Sequence, residues 1–348
     1  MPAVSPTSEP AVAMETPFNV DFNVSAHDGR LWIKPLWGDR DSEQELRLKG
    51  VNWFGASGTR FCMEEINSIS VQRYIDFMVE HEFNAVRLPL NGGTVLRNPT
   101  LDGNQWNGCG EYAGYSYLDM LAHVSQRLAG AGIFLMLDVH SMVEPEQNQP
   151  LWCEPGDGGA GCADGVDDDA LSQPDSIQPL LRVWEILAER FCSHRNVIMA
   201  DLYNEPFGAH WGNHTVPPRT RAEMQHPWTA DPSWARGTDW AAAAQRLGNH
   251  VLSLCERWLI VVQGVANNEP THICMNVTDG AGWCWWGENV LGQVTNPIRL
   301  EQPDRLVLSP HSYGHGSQPC ARSPQPYTYT RTGPHGTPSC SVRGPHTD

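Results

Sequence analysis

The stretch that decides the fold is Asn196-Val-Ile-Met-Ala-Asp-Leu-Tyr-Asn204-Glu205-Pro206. An apolar run with strand character ends abruptly in an amide, a carboxylate and a helix-breaking proline. A carboxylate at the mouth of a buried strand costs free energy to place. Chains accept that cost mainly for chemistry, and in a parallel barrel the chemistry sits at the C-terminal ends of the strands. Glu205 is therefore read as a catalytic acid, and Asn204 as a neighbour able to hydrogen-bond a hydroxyl group.

Working outward, the same pattern recurs. Leu46–Phe54, Asn84–Leu90, Ile133–His140, Val197–Tyr203, Trp258–Gln263 and Arg305–Ser309 read as strands. Between them Val71–Glu82, Tyr117–Ala129, Ile177–Phe191 and Thr238–Arg257 carry helical spacing of apolar residues. The strands are apolar on both faces, as expected where helices cover a parallel sheet. Each ends in polar or aromatic residues: Asn52-Trp53, Arg87, Asp138 with His140, Asn204-Glu205, Gln263, and His311 with Tyr313. Polar groups at one end of every strand predict an α/β chain of the (β/α)8 TIM-barrel type. A doubly wound open sheet is the alternative, but the Gly-rich phosphate turn it usually carries after the first strand is absent.

Residues 18–40 alternate apolar and polar around Asp28-Gly29, which predicts a hairpin ahead of the barrel. Residues 1–17 are rich in Pro, Ser, Thr, Ala and Glu and read as disordered. After Tyr313 the apolar periodicity stops, and residues 320–348 read as an irregular tail. The expectation is an incomplete barrel, residues 18–319, with about six of eight strand–helix units. The outer edges of its first and sixth strands should then lack partners, which favours self-association.

The chain has 348 residues, 40% of them hydrophobic, enough for one large domain. Its net charge of −17 disfavours nucleic acid and anionic membranes, and suits a neutral or cationic partner. No stretch approaches the roughly 18 continuous apolar residues of a membrane span. Fourteen Trp is a high count, and Trp is a stacking surface for sugars, although core packing is the plainer account of any single one. Ten Cys point away from a reducing compartment. Cys153 with Cys162, and Cys274 with Cys284, flank loops that a disulfide would close. Sequons at Asn23, Asn213 and Asn276 agree with secretion, while the N-terminus shows no signal-peptide pattern. No His/Cys cluster has zinc spacing, and Asp157–Asp169 lacks the order of a calcium loop, so neither a metal nor a cofactor is expected.

Six segments then carry a resemblance: LKGVNWFG (48–55), NAVRLPL (84–90), GIFLMLDVHS (132–141), YNEP (203–206), WWGENVLG (285–292) and RLVLSPHSYG (305–314). In order and spacing they resemble glycoside hydrolase family 5, and within it the endo-β-1,4-glucanase (cellulase) branch, over about residues 46–319. The resemblance implies retaining hydrolysis of a β-glucan or related polysaccharide, with Glu205 as acid/base. It implies sugar-site roles for Arg87, His140, Asn204, His311 and Tyr313. Trp285 and Trp286 match a Trp-Trp-Gly segment that would wall the cleft, and Trp53 is a further aromatic candidate. It implies an extracellular setting. The family's nucleophile, a Glu ending strand seven, has no counterpart, because no Glu follows His311. Glu288 is set aside as a substitute, since its loop follows strand five. The expectation is a truncated or frame-shifted product with negligible hydrolysis of soluble β-1,4-glucan. The alternatives are a non-catalytic carbohydrate-binding remnant, or a hydrolase of mannan or xylan.

Overall fold

The computed structural model describes residues 18, 21–36, 43–103, 108–142, 177–206, 209, 211–212, 239–265, 286–312, 327–331 and 338–342. Its centre is a six-stranded parallel sheet in the order β4 (Gly50–Asn52), β5 (Ala85–Asn91), β6 (Phe134–Ser141), β7 (Val197–Asp201), β8 (Leu259–Gln263) and β9 (Leu306–Ser309). Chain order equals spatial order, the topology of a barrel wall. The described strands stop at six, so the outer sides of β4 and β9 have no sheet partner among the described residues. The first strand is shorter than the Leu46–Phe54 run predicts.

The helices are α1 (Val71–Glu80), α2 (Gly92–Arg97), α3 (Tyr117–Gly130), α4 (Gln178–Phe191) and α5 (Trp240–Leu254). Their starts are written locally. Ser70, Ser116 and Asp239 cap α1, α3 and α5 by accepting the main-chain N–H of Arg73, Asp119 and Ala242.

Alternation along each strand sorts side chains into two cores. Val86, Leu88, Leu135, Leu137, Val139, Ala200, Leu202, Ile260 and Val262 face the helices. Phe134, Met136, Met199, Leu259, Val261 and Val307 form a second apolar cluster on the inner face. A preceding hairpin, β1 (Phe22–His27) with β2 (Arg30–Pro35), adds Phe22, Val24, Leu31 and Ile33 to that inner cluster, while the two-residue β3 (Gln44–Glu45) pairs with β2. The hairpin thus closes the N-terminal side of the sheet. Arg305, just before β9, ties it down by donating to Val24 O and, at 2.9 Å, to Asn23 Oδ1. Asn23, one of the three sequons, is therefore engaged by its side chain.

Two core tryptophans reach the functional end. Trp184 Nε1 donates to Leu202 O at 3.1 Å and Trp240 Nε1 to Gln263 O at 2.9 Å. They fix the backbone where β7 and β8 finish.

Two expectations are corrected. The tail is not irregular throughout: β10 (Tyr327–Arg331) and β11 (Pro338–Val342) form an antiparallel hairpin that joins none of the described barrel strands. The alternating aromatic and β-branched run Tyr-Thr-Tyr-Thr favours extended backbone even in a Pro- and Gly-rich context. Among the described residues the disulfides are Cys62–Cys109 and Cys192–Cys255, at separations of 47 and 63 residues. Packing of loops distant in sequence sets them, so no local spacing announces them. The loops of Cys153–Cys162 and Cys274–Cys284 and the acidic run 157–169 lie outside the described residues, as do residues 1–17. Last, Trp53 is a core residue, for a reason that belongs to the site.

Candidate active site

Polar residues continue the inner face of the sheet at its C-terminal end. Two residues beyond Met136 comes Asp138, then His140; beyond Met199 comes Asp201; beyond Val261 comes Gln263. Pairing sets Asp138 beside Asp201 on neighbouring strands, and Asn52 beside Arg87. The result is an open cleft of about 510 Å³ lined by Asn52, Phe54, Ser57, Glu64, Arg87, Pro89, His140, Asn204, Glu205 and His311, together with Gly55 and Gly58.

Arg87 is the hub of the floor. Its guanidinium donates through Nε to Asp201 Oδ2 at 2.9 Å, through Nη2 to Asn204 Oδ1 at 2.9 Å and through Nη1 to Asn52 Oδ1 at 3.2 Å. Nη2 also lies 2.9 Å from Asp138 Oδ2. Burial by itself disfavours the cation, but Asp138 and Asp201 outweigh it and hold the guanidinium above its ordinary pKa. Asp201 responds oppositely. Burial, with Asp138 adjacent, pushes its carboxyl up from 3.8 to about 6 despite Arg87. One guanidinium does not fully compensate two buried carboxylates.

His140 Nδ1 is 2.6 Å from Asp138 Oδ2, and its Nε2 is 3.3 Å from Asn204 Nδ2. A carboxylate on one ring nitrogen fixes the orientation of the other, which faces the cleft residues. Glu205 sits at φ +43°, a region that non-glycine residues rarely adopt. Its N–H donates to Gln263 Oε1 at 2.8 Å, and its carboxyl Oε1 lies 2.6 Å from His311 Nδ1. Gly287 makes room for that pair: a Cβ on it would meet His311 Cγ at 2.9 Å and Glu205 Cγ at 3.1 Å. The Gly287 carbonyl also accepts the N–H of His311 at 2.9 Å.

The structure therefore gathers Arg87, His140, Asn204, Glu205 and His311 in one cleft. Arg87 pairs with Asp138 and Asp201, while Glu205 is in contact with His311. Trp53 is corrected. It is 7% exposed and packs on Tyr74 at 5.0 Å between ring centres, because Asn52 takes the inward position and alternation turns Trp53 toward the helices. Its neighbour Phe54, 63% exposed, lines the cleft instead. Trp286 is half-buried and is not among the cleft-lining residues. Tyr313 and Trp285 lie outside the described residues.

The reading from sequence missed Asp201, Phe54, Ser57 and Glu64. Asp201 is hidden inside an apolar run; its signal is that it pairs with Asp138 across the sheet, a relation of register. Phe54 was one residue out of phase. The loop carrying Phe54, Ser57 and Glu64 is held by the Cys62–Cys109 disulfide, by Tyr117 Oη donating to Ala56 O at 2.9 Å, and by Glu64 N–H donating to Phe54 O at 3.0 Å.

A family model described as Cellulase (glycosyl hydrolase family 5) matches residues 43–332, running past the point near 319 where the resemblance read from sequence ended. An Endoglucanase of Paenibacillus polymyxa is 30% identical over 287 residues, spanning 82% of this chain and 60% of that protein. The Major extracellular endoglucanase of Xanthomonas campestris pv. campestris is 27% identical over 279 residues, spanning 79% of this chain and 47% of that protein. The chain thus spans roughly half the length of the relatives it matches. Among solved structures, the catalytic domain of the major endoglucanase from Xanthomonas campestris superposes with a TM-score of 0.58 at 26% identity, covering 79% of this chain and 66% of that one. A hyperthermophilic endocellulase from the archaeon Pyrococcus horikoshii shares the fold with a TM-score of 0.65 at 24% identity, covering 87% and 71%. With its six-stranded wall and with most of its length matched by one family model, this chain belongs to the cellulases of glycosyl hydrolase family 5.

Proposed function

We propose that the chain carries the acid/base half of a retaining endo-β-1,4-glucanase site, with Glu205 as the proton donor to the leaving glycosidic oxygen. The observation that supports it most is the Glu205–His311 contact of 2.6 Å at the open cleft, on a residue held in a strained backbone conformation. Strain of this kind costs about 1–3 kcal/mol and clusters at functional sites. Arg87, His140 and Asn204 form the polar floor on which a pyranose would rest, and Phe54 offers a ring face beside it. Endoglucanase relatives favour β-1,4-glucan over mannan or xylan as the polymer. Two disulfides, and a relative named extracellular, support an extracellular setting. The charge of −17 speaks against nucleic acid as a partner.

Retaining chemistry needs a second carboxylate about 5–5.5 Å from the acid. Glu301 is the last Glu of the 348 residues, so a nucleophile at the usual place after the sixth strand is not encoded in them. That observation favours a second reading: these residues bind cello-oligosaccharide without turning it over.

The test is a reducing-sugar assay on soluble β-1,4-glucan with residues 1–348 beside the Glu205→Gln variant, together with cellotetraose binding by calorimetry. Binding without turnover is the expected outcome. Turnover abolished by Glu205→Gln would place a second carboxylate within the chain, with Glu64 and Glu288 the next residues to substitute. Neither binding nor turnover would sink the glucanase reading altogether.

A further inference from the structure

Asp201 is 1% exposed and lines no part of the cleft, yet it stands at the root of the catalytic turn. Its Oδ2 accepts two hydrogen bonds, from Arg87 Nε at 2.9 Å and from Gln263 Nε2 at 2.8 Å. Gln263 is fully buried, and its main chain is held by Trp240. The other end of the Gln263 amide, Oε1, accepts the N–H of Glu205 at 2.8 Å. Glu205 is the residue at φ +43°.

Polarity runs along this chain of bonds in one direction. A carboxylate can only accept, so Asp201 compels Gln263 to present its NH2 group downward and its oxygen upward. Only the oxygen can hold the N–H of Glu205. Turned over, the amide would set a donor against a donor. Asp138 already supplies Arg87 with a carboxylate, so neutralising the guanidinium does not by itself require a second acid. What Asp201 adds is its reach to Gln263.

We propose that Asp201 is a positioning residue for Glu205: it sets the direction of the Gln263 amide, and that amide holds the main chain of Glu205 in the conformation that aims its carboxyl at the cleft. The functional meaning rests on the glucanase reading, but the bond chain is measurable without turnover.

The experiment is amide hydrogen exchange by NMR on the whole 15N-labelled chain, comparing Glu205 with the core amide of Val261. Asp201→Ala removes the acceptor that holds the Gln263 amide, and Glu205 is expected to exchange about tenfold faster while Val261 stays protected. Asp201→Asn keeps an oxygen at the place where both Arg87 Nε and Gln263 Nε2 donate, and with it the protection of Glu205 is expected to persist. Full protection of Glu205 in Asp201→Ala would overturn the proposal. So would equal loss at Glu205 and Val261, or loss at Glu205 in a folded Asp201→Asn. If Asp201→Ala does not fold, the Asp201→Asn result decides: protection retained at Glu205 supports the proposal. A failed glucanase assay leaves these outcomes untouched, because none of them reads turnover.

Discussion

His311 Nδ1 and Glu205 Oε1 meet at 2.6 Å although 106 residues separate them, one after the fourth barrel strand and the other after the sixth. The imidazole and the carboxyl restrain one another at the rim of the cleft, where both have side chains about one-fifth exposed (23% and 20%). A side-chain hydrogen bond of this kind contributes about 0.5–1.5 kcal/mol. His311→Ala is therefore expected to release the Glu205 side chain and weaken cellotetraose binding about tenfold, about 1.4 kcal/mol. Calorimetry checks this, and loss of the same contact is expected to lower the melting temperature by a few degrees. Undiminished affinity would remove His311 from the site.

Phe54 and Trp53 separate binding from stability. Phe54→Ala is expected to weaken cellotetraose binding by about 0.5–1.5 kcal/mol, the worth of an aromatic contact, with little change in melting temperature. Trp53→Ala should destabilise the fold by about 3–5 kcal/mol, the cost of emptying a large core site. Calorimetry and thermal unfolding of both variants measure the two effects. The reverse assignment of effects would restore Trp53 as the sugar platform.

The two disulfides divide in the same way. Removing either should cost about 2–4 kcal/mol. Only Cys62→Ser with Cys109→Ser should also loosen the loop that carries Phe54 and Glu64, and so reduce ligand affinity. Cys192→Ser with Cys255→Ser, which frees the link between the ends of α4 and α5, should leave affinity per folded molecule intact. Comparing binding of the two double variants at a temperature where both are folded decides the matter.

Asp201 gives stability a pH dependence with a definite sign. Its carboxyl is raised from 3.8 to about 6 in the fold, so between those values the folded chain holds a proton that the unfolded chain has released. Its contribution is fully present below about pH 3.8 and is lost as pH rises through about 6. Asp201→Asn should remove this component. Melting temperatures across the interval, plotted as wild type minus variant, should fall with rising pH; a flat difference would show that Asp201 stays ionised throughout.

Much of this architecture is legible in the chain because strand and helix periods are local properties. The sheet strands β5 to β9 begin and end within two residues or so of the apolar runs that predict them. Arg87, His140, Asn204, Glu205 and His311 were readable as the polar ends of those runs. Trp53 was not, because a one-residue error of phase exchanges the two faces of a strand. Asp201 was not, because its meaning lies in the neighbouring strand. Cys62–Cys109 and Cys192–Cys255 were not, because loops distant in sequence make them. The β10–β11 hairpin was obscured by the Pro and Gly around it.

Unpaired edges make the last prediction. The outer sides of β4 and β9 lack sheet partners among the described residues, and such edges template pairing with other chains. Residues 1–348 are expected to self-associate with rising concentration in size-exclusion chromatography with light scattering. A concentration-independent monomer would mean that the edges are covered.

The tie from Arg305 to Val24 and Asn23 has a consequence for how the chain is made. Its partners lie 281 and 282 residues apart. During synthesis the hairpin emerges before all six strands of the parallel sheet, and its apolar face must wait for β9, the last of them, to complete its seat. The hairpin is thus made before the sheet yet secured only after it, and until then the face bearing Phe22, Val24 and Ile33 stays open to a holdase chaperone.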